Sequence, residues 1–533
     1  MPEKILKTIK PREYQQEIYE TCKNKNCLVI LPTGIGKTLI ALMLTINRQK
    51  EVPGSKALFL APTRPLAEQH LSYFKKHLPE LFAEMSLFTG KVSAKDRKKI
   101  WQTSDIIFST PQCISNDLKN NLYDLSEVNL LIEDECHRCL KNYAYTLVVK
   151  KYKEQSLNQR ILGLTASPGA EKSKIKEIAE NLGIEAIETR TRESVDVKPY
   201  IQELKFEAIN LEFPPKFEEI RFLLKEMFDK KAEELKSRKL LFTPPTKTFL
   251  LETQSRIMRA ISTGNKNFNL LLGASACAQA IKIQHAIELL ETQTLYSFSE
   301  YMHDLFDQAK NKKSKAVQQI VKNPAFNKAY ILLTELLTRK EEHPKLAKIK
   351  EIVSSEFSNN PKTKIIVFSQ YRSTVTRISK ELNSIPEVRA RVFVGQTKKV
   401  HGKDSKGKDE CSGLTQKEQQ QIIEEFSIGK INVLCATSIG EEGLDIPEVN
   451  AVIFYEPIPS AIRQIQRRGR TARLMEGKLI ILITKNTRDE AYYWAAFNKE
   501  KKMHRAIESI KEELENGTYN PSEKKKQRTL FEQ

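Results

Sequence analysis

Pro32-Thr33-Gly34-Ile35-Gly36-Lys37-Thr38 ends a short β-branched run and opens a helical segment. A phosphate tail needs several backbone N–H groups converging on it. Gly34 and Gly36 permit that approach, and the start of a helix adds the positive end of its dipole. Lys37 then reaches the β- and γ-phosphates, and the Thr38 hydroxyl holds Mg²⁺. Leu31 stands where the usual phosphate-loop pattern has its first glycine, so the placement between strand and helix carries the reading against a glycine turn that binds nothing. A second cluster, Leu131-Ile-Glu-Asp134-Glu135-Cys-His137, ends another apolar run. A carboxylate at a buried strand end is costly unless a cation meets it. Asp134 is the metal-side carboxylate, and Glu135 orients and deprotonates the attacking water; the bland alternative is a surface acidic pair. A third cluster is Gln466-Arg-Arg-Gly-Arg470-Thr-Ala-Arg473. Arg470 and Arg473, three apart, share one helix face. They can meet a γ-phosphate across a cleft, an effect worth about 10³–10⁵ in rate for arginine fingers. Alone, the run also reads as a solvated basic helix or a phosphate-backbone contact. Taken together, the three clusters describe an ATP site split between two domains, where hydrolysis becomes motion.

Such a site needs strands to hold it. The runs Cys27–Leu31, Ala57–Ala61, Ser104–Ser109, Leu130–Glu133 and Arg160–Thr165 alternate with helical segments. That rhythm predicts a parallel, doubly wound α/β sheet buried on both faces. It recurs in Lys364–Ser369, Arg391–Val394, Asn432–Ala436, Ala451–Glu456 and Lys478–Thr484. Between the two copies the chain lacks strand-like runs. Phe217, Ile220, Leu223, Leu224 and Met227 follow helical spacing, which predicts a helical insert. The expected layout is a first α/β domain over 1–200, a crossover over 201–213 that lends a strand to the second sheet, an insert over 214–345, a second α/β domain over 346–510 and a basic tail over 511–533. The tail and Lys398–Gly413 read as flexible.

Composition narrows the classes. At 533 residues the chain exceeds one ordinary core, and 40% hydrophobic with 29% charged residues fits a globular protein. No apolar run approaches the ~18 residues of a membrane span, and the start has no secretory signal, so no membrane partner is expected. The excess of 87 Lys plus Arg over 67 Asp plus Glu, net +20, favours a polyanionic partner or lysine-rich solubility. Eight cysteines are ordinary usage for reduced thiols in a cytoplasmic protein. Cys136-His-Arg-Cys139 has the spacing of a zinc half-site, but Cys22 and Cys27 would make a poorly spaced second half.

The ordered set PTGIGKT, APTRPLAEQ, STPQ, DECH, TAS, IIVFSQYR, ATSIGEEGLDIP and QRRGRTAR resembles the superfamily 2 helicases over nearly all of 11–500. Within them the chain is most similar to archaeal Hef helicases and FANCM-type translocases, through Pro11-Arg-Glu-Tyr-Gln15, Phe88-Thr-Gly-Lys91, Asp196–Tyr200, the helical insert and Thr487–Trp494. The resemblance implies two RecA-like domains flanking a thumb-like insert, with ATP and Mg²⁺ as cofactors. It implies that Arg12 and Gln15 read the adenine edge. Gly443 and Asp445 meet the nucleotide from the second domain, with Gln466, Arg470 and Arg473 on the γ-phosphate. Thr165 and Ser167 couple the ATP site to the nucleic acid. Arg64, Thr89, Gly90, Thr110, Gln370, Arg372 and Thr437 contact nucleic acid, mostly through groups suited to phosphates.

The implied substrate is forked or branched DNA, as in repair or replication restart. The DECH tetrad also occurs in RIG-I-like RNA sensors, so an RNA-dependent ATPase is the second reading, since backbone-gripping groups do not display 2′-OH selectivity. A non-catalytic scaffold for branched nucleic acid is the third, and the intact Lys37, Asp134, Glu135, Arg470 and Arg473 oppose it. Many Hef proteins carry a further nuclease; no such motif comes after residue 473, and nuclease activity is not expected. Lys310, Lys312, Lys313 and Lys315 read either as a DNA grip or as a solvated face. The final Gln527–Gln533 faintly resembles a sliding-clamp-binding peptide, although Phe531 falls too early and the chain stops before a second aromatic.

Overall fold

The computed structural model describes residues 6, 9–202, 204–264, 267–395, 400–403, 409–411, 413–437, 446–460 and 477–519. In the first lobe, β1 (Cys27–Ile30), β2 (Lys56–Leu60), β3 (Met85–Phe88), β4 (Ile106–Ser109), β5 (Val128–Asp134), β6 (Ile161–Thr165) and β7 (Ala186–Thr189) form a parallel sheet in the order β3-β4-β2-β5-β6-β1-β7. The near-continuous apolar strands result from burial on both faces. Leu28 and Ile30 pack into one core layer, Val29 and Leu31 into the other, as the two-residue pleat requires. Three helices matter for the site: α1 (Glu13–Asn24), α2 (Lys37–Glu51) and α3 (Arg64–His77).

The second sheet uses β8 (Leu204–Leu211), β9 (Ile365–Phe368), β10 (Ala390–Phe393), β13 (Val433–Ala436), β14 (Ala451–Phe454) and β15 (Gly477–Thr484), in the order β10-β13-β9-β14-β15-β8. The hairpin β11 (Val400–Lys403) and β12 (Asp409–Cys411) lies apart from it. Strand β8 precedes the insert in the chain, yet it pairs with β15 from Leu204 opposite Gly477 to Leu211 opposite Thr484. Between β8 and β9 seven helices are described; the first six, from Pro215–Ser237 to Pro324–Thr338, pack round Leu224, Ile283, Phe298 and Phe326. The apolar spacing noted from Phe217 to Met227 is the buried face of the first of these helices.

The insert joins the second lobe through a buried polar seam. Lys345, at the start of the helix Pro344–Asn359, pairs with Asp489, and neither side chain is exposed. Lys345 also donates to the Thr292 carbonyl at 3.2 Å and lies 5.3 Å from the Tyr455 ring centre. Gln293 Oε1 accepts from Ser369 and Thr374 of the second lobe. Beside them, Glu288 receives Lys247 at 2.7 Å and His285 at 3.6 Å. Burial alone raises a carboxyl pKa, but the hydrogen bonds of His285 and Lys247 and the charges of Lys247 and Arg488 bring Glu288 down to about 2. Because the folded value lies below the ordinary 4.5, this stabilisation is complete above that value and is lost as pH falls toward 2. Glu288→Gln is therefore expected to flatten the acid side of the thermal-midpoint profile, read by scanning fluorimetry across that window.

The final helix, Arg488–Glu515, begins on the second lobe and ends on the first. Met503, Ala506, Ile507 and Ile510 belong to the first lobe's core, so a domain boundary at 510 does not separate the lobes. Burying each of the larger side chains contributes about 1.5–3 kcal/mol. The flanking pairs of Glu513 with Lys172 and Lys176 are partly exposed and matter less. No helix among the described residues is long and apolar enough to cross a membrane.

Candidate nucleotide site

Strands β1, β5 and β6 are neighbours, and their register brings their ends level. Ile30 lies opposite Thr165, and Asp134 opposite Leu164. The phosphate loop, the acidic pair and the Thr165-Ala-Ser167 turn therefore emerge side by side.

In the loop, Gly34 and Gly36 have φ of 88° and 92°, the left-handed region that favours glycine. A Cβ on Gly36 would lie 2.1 Å from Gln15 Nε2. Helix α1 holds the loop from below. Tyr14 donates to the Ile35 carbonyl at 2.5 Å and Gln15 Nε2 to the same oxygen at 3.2 Å. Gln15 Oε1 accepts from the Arg12 backbone at 2.9 Å, and the Arg12 guanidinium stacks 5.0 Å over Tyr200. Gln15 thus spends its amide on the loop backbone and is only 3% exposed. Lys37 heads α2, and its ammonium donates to the Leu31 carbonyl at 3.0 Å. Among the described residues the Thr33 hydroxyl is buried without a hydrogen-bond partner, a polar group that points to a ligand at the loop.

Asp134 Oδ2 lies 2.9 Å from His70 Nε2, and the Tyr145 hydroxyl donates to the Asp134 carbonyl at 2.6 Å. Burial raises the Asp134 pKa, yet His70 and the Lys37 ammonium outweigh it and hold the group below its ordinary value, ionised. A buried, ionised carboxylate beside a phosphate loop and the Thr38 hydroxyl is a hard-oxygen donor set that fits Mg²⁺. When bound, Mg²⁺ neutralises and clamps phosphate oxygens. Glu133 points the other way. Among the described residues both its oxygens are buried without a well-formed hydrogen bond, and burial, offset only in part by the Cys139 thiol, pushes its pKa up to about 8, so it stays protonated at neutral pH.

Glu135 turns the chain at φ 52°, a left-handed position that a glutamate adopts only when its surroundings enforce it. Its Oε2 is buried, lies 3.2 Å from His137 Nδ1 and makes no hydrogen bond among the described residues, which leaves it available to a water. His137 Nδ1 is also 3.1 Å from Thr165 Oγ1. Thr165 donates its single hydroxyl hydrogen to the Ser167 carbonyl at 3.1 Å, so His137 must be the donor in that contact. Ser167 Oγ then reaches Met503 Sδ on the final helix at 2.9 Å. Glu135 is thereby linked, contact by contact, to a helix rooted in the second lobe. Sequence spacing shows neither the His137 contacts nor the reach of Met503; the apolar spacing of the final helix shows a buried face but not which lobe covers it.

The nucleic-acid candidates fall on the other half of each sheet. Arg64, Thr89 and Thr110 come just after β2, β3 and β4, and a Cβ on Gly90 would meet open space. Gln370, Arg372 and Thr437 come just after β9 and β13. Arg64 Nε donates to Glu68 at 2.7 Å and Arg372 Nη2 to the Gly395 carbonyl at 3.1 Å. Gly443, Asp445, Gln466, Arg470 and Arg473 lie outside the described residues, as does the clamp-like end of the tail. Among the described residues no three His, Cys, Asp or Glu side chains form a metal cage, and Cys136 and Cys139 are buried thiols.

Two parallel-sheet lobes, a phosphate loop between strand and helix, and an acidic turn two strands away define a two-lobed helicase-type nucleotide fold. The DEAD/DEAH box helicase family matches residues 12–175, the helicase conserved C-terminal domain matches 344–475, and the helical bundle of a putative ATP-dependent RNA helicase matches 216–343. The chain aligns with the crystal structure of the Pyrococcus furiosus Hef helicase domain at a TM-score of 0.68 and 42% identity, covering 91% of this chain and 98% of that one. A Methanocaldococcus jannaschii protein named as a putative ATP-dependent RNA helicase is 38% identical over 95% of this chain and 61% of its own length. The Neurospora crassa ATP-dependent DNA helicase mph1 is 32% identical over 91% of this chain and 42% of its own, and the mouse Fanconi anemia group M protein homolog 30% over 94% and 26%. The chain belongs to the superfamily 2 helicases, in the group that contains Hef and these relatives. It spans under two thirds of the length of each of the three curated relatives.

Proposed function

We propose that the chain hydrolyses ATP to move along DNA and remodel branched structures such as forks and Holliday junctions. The observation that carries this reading is the meeting of Lys37, Asp134 and Glu135 at level strand ends, with contacts running on to a helix of the second lobe. Lys37 and the loop amides hold the phosphates; Thr38 and Asp134 hold Mg²⁺; Glu135 takes the proton of the attacking water. Gln466, Arg470 and Arg473 act on the γ-phosphate from the second lobe, with Gly443 and Asp445 beside the nucleotide. Thr165 and Ser167 pass the state of the site onward. Arg12 faces the adenine, with Gln15 acting through the loop. Arg64, Thr89, Gly90, Thr110, Gln370, Arg372 and Thr437 grip the backbone, and the work is done in the cytoplasm at the nucleoid, or in the nucleus of a eukaryotic source.

Opening duplex takes about 1.4 kcal/mol per base-pair step, which repeated ATP turnover can supply. The test is the ATPase rate with single-stranded, duplex, forked and four-way DNA and with matched RNA. Forked or four-way DNA is expected to stimulate most. A chain stimulated equally by linear duplex has no branch preference. The name of the Methanocaldococcus relative favours an RNA-stimulated ATPase as the second reading, and stimulation by RNA forks above DNA forks would establish it.

A further inference from the structure

His70 lies on the buried side of α3, with Ala67, Phe74 and His77. Its ring packs on Phe59 of β2 with centres 4.4 Å apart, and Phe59 is itself flanked by Phe74 and Phe108. Aromatic packing thus fixes the plane of the imidazole. From that fixed plane Nε2 meets Asp134 Oδ2 at 2.9 Å, and each side chain is 9% exposed. The Asp134 backbone is held separately, through its carbonyl, by Tyr145. The adjacent Glu135 backbone N–H also faces the carboxylate, but a group held by its own turn alone still turns about two side-chain torsions. A donor fixed on one oxygen stops that turning and decides where the other oxygen faces.

We propose that His70 is a positioning residue that holds the Asp134 carboxylate in the orientation that receives the hydrated divalent ion. This rests on the reading of Asp134 as the metal-side carboxylate. A merely structural His70 would neutralise a buried acid and add stability without altering how the site responds to metal. Positioning predicts a change in metal affinity separate from nucleotide affinity, as for other groups that orient metal ligands.

The test uses the full chain with ADP and Mn²⁺ as the probe. Free Mn²⁺ is read by electron paramagnetic resonance, and nucleotide binding in EDTA by a fluorescent ADP analogue. His70→Phe keeps the ring against Phe59 and removes the donor; His70→Gln restores a donor. His70→Phe is expected to leave ADP binding in EDTA unchanged and to weaken Mn²⁺ by about 10–100-fold, with His70→Gln recovering most of the loss. Should His70→Phe not fold, His70→Asn, whose shorter amide cannot span the gap to Oδ2, carries the same comparison. Mn²⁺ affinity equal to wild type in the donor-less variant, whatever its melting temperature, overturns the proposal. A wild-type chain that binds no nucleotide overturns the proposed function as well, whereas metal-dependent binding unchanged by His70→Phe overturns the positioning role alone.

Discussion

Glu135→Gln is expected to lower ATP turnover by about 10²–10⁴-fold, the usual contribution of a positioned general base, while nucleotide still binds. The substitution keeps shape and hydrogen-bonding capacity but removes the basic oxygen. Glu135 Oε2 is buried and makes no hydrogen bond among the described residues, so its loss breaks no structural bond. The His137 contact at 3.2 Å can pass to the amide oxygen. Lys37→Ala should behave differently. The Lys37 ammonium already donates to the Leu31 carbonyl within the phosphate loop, and its removal takes away the cation proposed to meet the β- and γ-phosphates. Binding and turnover should fall together. Single-turnover hydrolysis alongside equilibrium binding of a fluorescent ATP analogue separates the two. Turnover in Glu135→Gln within tenfold of wild type would remove Glu135 from the role of base.

Much of this site is legible in the sequence because it is local. Pro32 to Thr38 joins a strand end to the helix after it, and Asp134 to His137 joins another to a tight turn. A strand buried on both faces announces itself as an unbroken apolar run, as at Cys27–Leu31 and Leu130–Glu133. The repetition of that rhythm before and after the insert is what makes two parallel sheets readable. The illegible part depends on pairings between distant segments. His70 and Asp134 are 64 residues apart, Ser167 and Met503 are 336 apart, and no periodicity encodes either contact. His70 leaves a faint signal, a polar residue at the helical spacing of Ala67 and Phe74, where an apolar one is expected. The final helix signals only that it is buried. Met503, Ile507 and Ile510 mark an apolar stripe, but a stripe does not name its partner, and here the partner is the first lobe. Gln15 shows the converse. The resemblance assigns it to the adenine, while its hydrogen bonds tie it to Arg12 and to the Ile35 carbonyl; that second role arises only from the fold that sets α1 under the loop.

Removing one partner of the Lys345–Asp489 pair is expected to cost about 3–5 kcal/mol, the penalty of leaving an unpaired charge in a dry interior. Neither side chain is exposed, and each is enclosed by fixed groups: Lys345 by the Thr292 carbonyl and the Tyr455 ring, Asp489 by the Thr484 backbone N–H at 3.0 Å. Asp489→Ala leaves the ammonium with one carbonyl and a ring face. Lys345→Met leaves a carboxylate whose Oδ1 already lacks a partner among the described residues. Replacing both, as Lys345→Met with Asp489→Leu, removes both desolvation penalties and should restore most of the stability, since apolar side chains of similar volume often equal or exceed a buried ion pair. The pair therefore contributes less to net stability than to the fixed placement of three segments: the end of an insert helix at Thr292, the start of Pro344–Asn359, and the start of the final helix. Chemical denaturation of the two single variants and the double variant tests the energetic half. Hydrogen exchange across 284–297 and 484–492 tests the geometric half, with faster exchange expected in the singles and slight acceleration in the double. A single substitution costing less than about 1 kcal/mol would mean that water reaches the pair and that Gln293, Glu288 and Arg488 hold the insert in its place.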